Sequence, residues 1–331
     1  MNRRRDRRVD KADPEQRRDR GNNQHRLGRD ADDLDDLRLT TLEMARFAAR
    51  GYLEFPALIE ADVGQAYVAD VRAGRLPQVP AGTVLAAAYP PSSPVHQFAQ
   101  HPNVAAIIES LVGPGPLVDH HFPHMTFSPA NLAKRGEAPA DSQHWHQDST
   151  VDTRAAFDIQ LMWFPHAVTA EMGGTRYLPG SHLRIVSEAA IGRYQNIVGQ
   201  RQVVCPAGTL LVLHHGLWHG AGANRADHDR HMFKLRLNPQ VRQRRLWNTA
   251  DLPADMNRQR PIFYRRDARP DDDLHAVLCE PQPWFEADTE RLEYINRARF
   301  WRHLTGDETF DADYWLTRLE NQPERRVEAA S

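Results

Sequence analysis

A chain of 331 residues can bury a full core, in one large domain or two small ones. Its 40 % hydrophobic and 26 % charged residues are those of an ordinary soluble globular protein, and a formal net charge of -2 gives no support for nucleic-acid or membrane binding. No apolar run approaches the length of a membrane span, and the Arg-rich start lacks the apolar core of a secretory signal. Residues 1–37 mix Arg and Asp densely, with almost no large apolar residue before Leu34. Such a segment cannot offset its ordering entropy by burial, so a disordered extension is expected there. The remainder, 38–331, reads as one domain. Thr40, with Glu43 three residues on, has the capping-box spacing, and Leu42, Ala45, Phe47 and Ala49 carry a helix that Gly51 ends. Tyr52–Phe55 reads as a short strand and 60–73 as a second helix. A Pro-rich connection from Pro77 to Pro94 leads to another helix around Val104–Leu111, which completes a helical N-terminal part, 38–116.

From Leu117 the pattern changes to period two. Segments 117–128, 157–165, 202–213 and 231–238 alternate apolar and polar residues and are separated by Gly or Pro. Short strands with turn signals and no helices between them predict an antiparallel sandwich or barrel over 117–240. The two cysteines, Cys205 and Cys279, are too few and too distant for a disulfide framework or a zinc site, which makes a reducing cytosol the simplest compartment. Beyond 247 the chain turns loop-like and then helical, with Tyr294, Ile295, Ala298 and Trp301 on one helical face. That stretch, 241–331, is expected to pack on the body. No internal repeat is visible.

The chemistry is concentrated in His144-Trp145-His146-Gln147-Asp148 and in a second histidine cluster, His214, His215 and His219. On an extended segment His146 and Asp148 project from the same face and can share one metal. His144 has the same parity and stays open as a rival to His146, as His214 and His215 do to His219. Two histidines and one carboxylate are the donor set of a non-haem Fe(II) site that leaves three positions open. Zinc accepts the same donors, so a zinc hydrolase also stays open. Gly220, Ala221 and Gly222 after His219 allow close approach of backbone or ligand. Arg230, eleven residues beyond His219, begins the next strand and can hold a carboxylate bidentately. Most of the 17 histidines cannot be ligands. His120, His121 and His124 lie on an alternating strand, either half-exposed or lining a pocket, and His182 reads as the fixer of a turn. Trp163 is either core or a site residue.

Four blocks in order resemble the phytanoyl-CoA dioxygenase family of Fe(II)/2-oxoglutarate-dependent oxygenases. They are Leu39–Leu58, Trp145-His146-Gln147-Asp148, the stretch from Met172 to Pro179-Gly180-Ser181-His182, and Trp218–Asn224 with Arg230. The resemblance implies a mainly β fold with flanking helices, built on a double-stranded β-helix (jelly-roll, cupin-like) core. It implies that His146, Asp148 and His219 bind Fe(II), that no catalytic side chain is needed beyond these ligands, and that Arg230 pairs with the distal carboxylate of 2-oxoglutarate. Gln147 and Trp163 occupy positions that border the co-substrate in such proteins. Ala221 departs from the pattern, since relatives often carry a small hydroxyl residue there. Ser128-Pro129 stands where many have Lys-Pro, and the Pro/Ala-rich residues 129–143 read as a lid loop. Asp148 argues against halogenation, because related halogenases have a small residue in place of the carboxylate. The expectation is a cytoplasmic dioxygenase that uses O2, hydroxylates a small molecule and releases succinate and CO2. Desaturation, epimerisation or ring formation at the same site, and a non-catalytic metal- or 2-oxoglutarate-binding relative, are the alternatives. No coenzyme A site, nucleic-acid partner or membrane contact is legible, and neither the substrate nor the oligomeric state can be read.

Overall fold

The computed structural model of the chain describes residues 37–139, 141–148, 156–184, 186–192, 195–252, 254, 274–278, 280–286 and 290–307. The expected extension up to residue 36, and Cys279, lie outside them. The first helix, α1 (Thr41–Arg50), starts as its sequence predicts. The Thr40 hydroxyl accepts the Glu43 N–H at 3.2 Å, and the Glu43 carboxylate accepts the Thr40 N–H at 2.8 Å. Gly51 ends it at φ 76°, and a Cβ there would come within 2.5 Å of His182 Nδ1, so the position needs glycine for both its backbone and its packing. β1 (Tyr52–Phe55) and α2 (Ala61–Arg72) follow, then α3 (Leu85–Ala88), α4 (Pro94–Gln100) and α5 (Pro102–Val112). The Pro-rich connection itself holds the short α3, and two helices follow it where one was expected. Pro94 and Pro102 each open a helix from its first turn, where a missing N–H costs nothing, and Ser93 caps α4 by accepting the Val95 N–H.

β2 (Leu117–Thr126) precedes α6 (Pro129–Lys134). The residues expected as a lid loop therefore begin with a helical turn, because Ser128 accepts the Asn131 N–H and Pro129 sits at the first helical position. Next come β3 (Ile159–Phe164), β4 (Thr175–Tyr177), α7 (Glu188–Gly192), β5 (Arg201–Gln202), β6 (Thr209–His214), β7 (His219–Ala221) and β8 (Arg230–Asn238). α8 (Leu274–Leu278) and α9 (Glu290–Thr305) complete the described elements. The segment 202–213 was expected as one strand. It is two, because Cys205 leaves the sheet to exchange backbone hydrogen bonds with Val168 and Gly208 turns at φ 77°.

Among the described residues, the named strands pair antiparallel. The five-stranded sheet has the order β1-β6-β3-β8-β2 and the three-stranded sheet the order β5-β4-β7. β1, from the helical N-terminal part, is an edge strand of the larger sheet. The two faces of that sheet bury different things. Ile159, Leu161 and Trp163 of β3, with Phe233 and Leu235 of β8, pack under Phe47, Tyr67 and Phe98 of the helical layer. Met162 and Phe164 of β3, Leu211 and Leu213 of β6 and Met232 of β8 point the other way, toward Tyr177 of β4. Period two thus sends alternate residues of one strand to a dry outer core and to the space shared with the smaller sheet. α9 packs on the body as its apolar face predicts, with Trp301 against Trp247 at 5.7 Å between ring centroids.

Candidate metal centre

His146 is extended and lies against β7. It exchanges two backbone hydrogen bonds with His219, each 3.0 Å, so the two rings meet at 4.4 Å between centroids. Gly220 makes this approach possible, since a Cβ there would come within 2.9 Å of the His144 carbonyl oxygen. Asp148, two residues on, returns to the same face as the spacing predicts, and its N–H donates to the His215 carbonyl at 3.3 Å. His146 Nε2 is then 3.5 Å from Asp148 Oδ1, and His219 Nε2 is 3.3 Å from Asp148 Oδ2. One donor atom from each of the three residues lies within 4.8 Å of the others, and among the described residues this is the group that can hold a metal.

The imidazoles are oriented for ligation. Nδ1–H of His146 donates to the His144 carbonyl at 3.1 Å, and Nδ1–H of His219 to the Leu217 carbonyl at 2.9 Å. A carbonyl only accepts, so these bonds place the proton on Nδ1 and leave the Nε2 lone pair facing Asp148. Burial lowers the His219 pKa despite the nearby carboxylate, which keeps the ring neutral. Burial opposes the charge on Asp148 as well, but His219, His146 and Lys234 outweigh it and hold the acid well below the usual carboxylate range. For His146 burial again opposes the charge, and its bond to Asp148 wins and raises the pKa. Asp148 Oδ2 and His219 Nε2 are buried without hydrogen bonds. Two imidazoles whose Nε2 atoms converge on an ionised, under-bonded carboxylate fit a divalent cation, which would take the place of the proton that Asp148 favours on His146.

Arg230 opens β8 and is 0 % exposed. Its Nη2–H donates to Thr126 Oγ1 at 2.7 Å, while Nε and Nη1 have no partner. Burial lowers its pKa to about 10, so it is still charged at neutral pH. A guanidinium buried with two N–H groups unbonded is costly unless an anion joins it. Thr126 pairs directly opposite Arg230 in the β2–β8 register and supplies a hydroxyl from a neighbouring strand where Ala221 supplies none. The Ser128-Pro129 turn is tied to the same corner, because Asp229 accepts the Ser128 N–H at 2.7 Å. Between Arg230 and Lys234 in register lies His124, whose pKa falls to about 4 through burial and the two cations.

Other expected residues are placed elsewhere. Gln147 points away from the donor face, and its amide nitrogen donates to the carbonyls of Gly216 at 2.6 Å and Arg184 at 2.9 Å. Trp163 lies in the outer core, stacked on Phe98 at 4.8 Å and 3°. Neither is brought to the site. His144 is exposed. His214 sits among Phe47, Phe157, Phe300 and His182 in the outer core. His215 is beside the donor set rather than in it, with Nε2 3.5 Å from Asp148 Oδ2. His182 does fix a turn, its Nε2–H donating to the Ala48 carbonyl, and Ser181 before it accepts the Trp218 N–H at 3.0 Å. The Pro-Gly-Ser-His stretch thereby locates the strand that carries His219. His121 faces Tyr89 in the outer core, and His120 and His124 share the inner face with Thr126. Sequence reasoning missed Thr126, Lys234 and Gln160. The parity signal was present for Lys234, four residues beyond Arg230 on one strand.

A His-x-Asp pair and a distant histidine, set between two antiparallel sheets with a buried guanidinium on the same inner face, form a donor set of the two-histidine, one-carboxylate class. The sequence profile described as phytanoyl-CoA dioxygenase matches residues 50–232, a span that contains all three donors and Arg230, and the chain belongs to that family. Its sequence is 33 % identical over 95 residues to a dioxygenase, andF, of Emericella variicolor; the match covers 29 % of this chain and 30 % of that protein. The chain thus spans under a third of that relative's length. Among solved structures, it is similar to the non-haem α-ketoglutarate-dependent epimerase SnoN from nogalamycin biosynthesis, at 22 % identity and a TM-score of 0.45, over 60 % of this chain and 83 % of that one. It is also similar to HygX of Streptomyces hygroscopicus, solved with nickel and 2-oxoglutarate bound, at 16 % identity and a TM-score of 0.48, over 61 % and 88 %.

Proposed function

We propose that the chain is an Fe(II)- and 2-oxoglutarate-dependent oxygenase that hydroxylates a small molecule. His146, Asp148 and His219 would hold the iron, and Arg230 with Thr126 would hold the distal carboxylate of 2-oxoglutarate. The observation that carries this reading is the pairing of two unsatisfied features on one inner face. One is a three-donor set aimed at a point, and the other a fully buried guanidinium with two N–H groups free. Membership of a dioxygenase family supports it.

Iron with 2-oxoglutarate and O2 supplies the oxidising chemistry, with succinate and CO2 released. The residues of the chain bind, orient and exclude. Nδ1–H bonds to the carbonyls of His144 and Leu217, two residues before each ring, hold both imidazoles still, so the donors need not reorganise on ligation. Arg230 and Thr126 would hold one end of the co-substrate by its distal carboxylate. Met162, Leu211, Leu213 and Met232 pack as a buried apolar cluster on the inner side of the larger sheet, toward Tyr177 of the smaller one. Asp148 would supply the carboxylate donor, and its presence favours oxygen transfer over halogenation. Desaturation, epimerisation and ring closure use the same donors and are separated by product analysis.

The finer fold reading is a jelly-roll core, supported by two antiparallel sheets with ligands drawn from the segment before β3 and from β7. One dioxygenase domain over 38–331 and a cytosolic setting are part of the same proposal. Among the described residues, no helix is long and apolar enough to cross a membrane.

The test is succinate release from 2-oxoglutarate by purified protein, with and without Fe(II), together with anaerobic 2-oxoglutarate binding to the Fe(II)-loaded protein. Iron-dependent binding and turnover are expected. Absence of both would leave a zinc hydrolase or a non-catalytic relative as the better account.

A further inference from the structure

One cation on the inner face is given no ligand of its own by the iron and distal-carboxylate contacts proposed above. Lys234 shares the parity of Arg230 on β8, and its side chain is only 14 % exposed. Its Nζ is 3.8 Å from Asp148 Oδ2, beyond hydrogen-bond length, and 5.9 Å from the Phe122 ring centroid. The next cation on that face is already committed. Arg236 donates through Nη2 to Asp158 Oδ2 at 2.7 Å, and its Nη1 lies 3.2 Å from Asp119 Oδ2. The acid beside Lys234 is Asp148, whose charge the iron would take over.

Gln160 supplies an independent observation. It is 1 % exposed, and neither its amide nitrogen nor its amide oxygen has a hydrogen-bond partner. In the β3–β8 register Gln160 pairs with Arg236 and Met162 pairs with Lys234. Gln160 and Lys234 are therefore diagonal neighbours on one face, within joint reach of a single ligand given their long side chains. A primary amide buried with nothing to bond is rare in native proteins and points to a missing partner.

We infer that Lys234 and Gln160 form a second carboxylate subsite beside the metal position, separate from the one built by Arg230 and Thr126. A carboxylate there accepts from the ammonium and from the Gln160 amide N–H, and restores the counter-charge that Lys234 gives up when Asp148 turns to a cation. The inference rests on the proposed iron site. The carboxylate is either the metal-proximal one of 2-oxoglutarate or one carried by the primary substrate.

The experiment uses the full-length protein loaded with Fe(II) under anaerobic conditions, with 2-oxoglutarate binding followed by its visible charge-transfer absorbance. Lys234→Met removes the charge, Lys234→Arg keeps it, and Gln160→Leu removes the amide from a buried position with an apolar group of similar size. Fe(II) affinity is measured separately for each variant. If the co-substrate is the source, Lys234→Met and Gln160→Leu weaken 2-oxoglutarate by about tenfold or more with Fe(II) affinity unchanged, and Lys234→Arg recovers much of the loss. If the substrate is the source, 2-oxoglutarate affinity holds. A panel of small monocarboxylates then perturbs the absorbance of the wild-type complex where the matched primary amides do not, and Lys234→Met loses that response. Neither pattern, or a fall in Fe(II) affinity as large as the fall in 2-oxoglutarate affinity, overturns the inference; the second result would make Lys234 a positioning residue for Asp148. Wild-type protein that binds neither Fe(II) nor 2-oxoglutarate overturns the iron site itself and the subsite with it.

Discussion

Replacing Arg230 with methionine separates a residue kept for a ligand from one kept for the fold. In the ligand-free protein the guanidinium is 0 % exposed and makes one hydrogen bond, to Thr126. The fall of its pKa from 12.5 to about 10 corresponds to about 3 kcal/mol against the buried charge. A single hydrogen bond to a charged donor returns about 1.5–3 kcal/mol. The two nearly cancel, so Arg230→Met is expected to change the stability of the ligand-free protein by no more than about 1 kcal/mol, a few degrees in Tm at this size. Most fully buried side chains of this volume would cost several times that on replacement. Co-substrate binding responds very differently. Nη1 and the second N–H of Nη2 form an end-on fork for a carboxylate, two charge-assisted bonds worth together about 3–4 kcal/mol, so 2-oxoglutarate should bind about 100- to 1000-fold more weakly. Thermal melts with and without 2-oxoglutarate and Mn(II) read both effects, the wild type being stabilised by the ligand and the variant not. An Arg230→Met protein destabilised by several kcal/mol without ligand, or one with unchanged 2-oxoglutarate affinity, would refute the reasoning and make Arg230 a structural residue.

Further expectations follow from the same geometry. Asp148→Ala removes the donor that both imidazoles face and should weaken Mn(II) or Fe(II) binding by more than about 100-fold in calorimetric titration, since loss of an outer partner alone costs up to that much; near-wild-type affinity would exclude Asp148 as a ligand. Trp163→Ala should lower stability by about 3–5 kcal/mol in denaturant unfolding and leave 2-oxoglutarate affinity unchanged, because the ring packs on Phe98 and Tyr67 in the outer core; a selective loss of affinity would contradict that placement. His214 and His182 are buried side by side, and burial takes the His214 pKa down to about 3 and that of His182 well below its ordinary value. Both stay neutral in the fold and protonate near pH 6.5 when unfolded, so the unfolded state binds more protons below that pH. The His214 contribution is fully present above about pH 6.5 and is lost as pH falls toward 3, at about 1.4 kcal/mol per pH unit, and His182 acts in the same direction. Urea midpoints at pH 7 and pH 5 should differ accordingly, and the difference should shrink in His214→Phe.

How much was legible depended on whether the deciding contact was local. The capping box, the glycine that ends α1 and the shared face of His146 and Asp148 are all relations between residues a few positions apart, and each holds in the structure. Thr126, Lys234 and Gln160 belong to the inner face through cross-strand register, which no single strand displays. β4, β5 and β7 have three residues or fewer, too short for an alternation to show. Trp163 illustrates a different limit. All six residues of β3 are buried, so the strand has no polar face to orient it, and parity alone cannot say which side holds the site. The helical layer decides it, by burying Ile159, Leu161 and Trp163 together.

Gln147 shows the opposite case, in which local geometry was the better guide. A residue between two ligands on an extended segment must face away from them. The family pattern places Gln147 near the co-substrate, strand parity places it on the far side, and the side chain follows parity by tying the carbonyls of Gly216 and Arg184. That position gives it a different use. Gly216 and Arg184 flank the two segments that set β7 in place, since Trp218 donates to the Arg184 carbonyl and to Ser181. The middle residue of His-x-Asp thus braces, through the backbone, the strand that delivers the third donor. The motif positions its own two ligands by spacing and the distant one by a hydrogen-bonded amide.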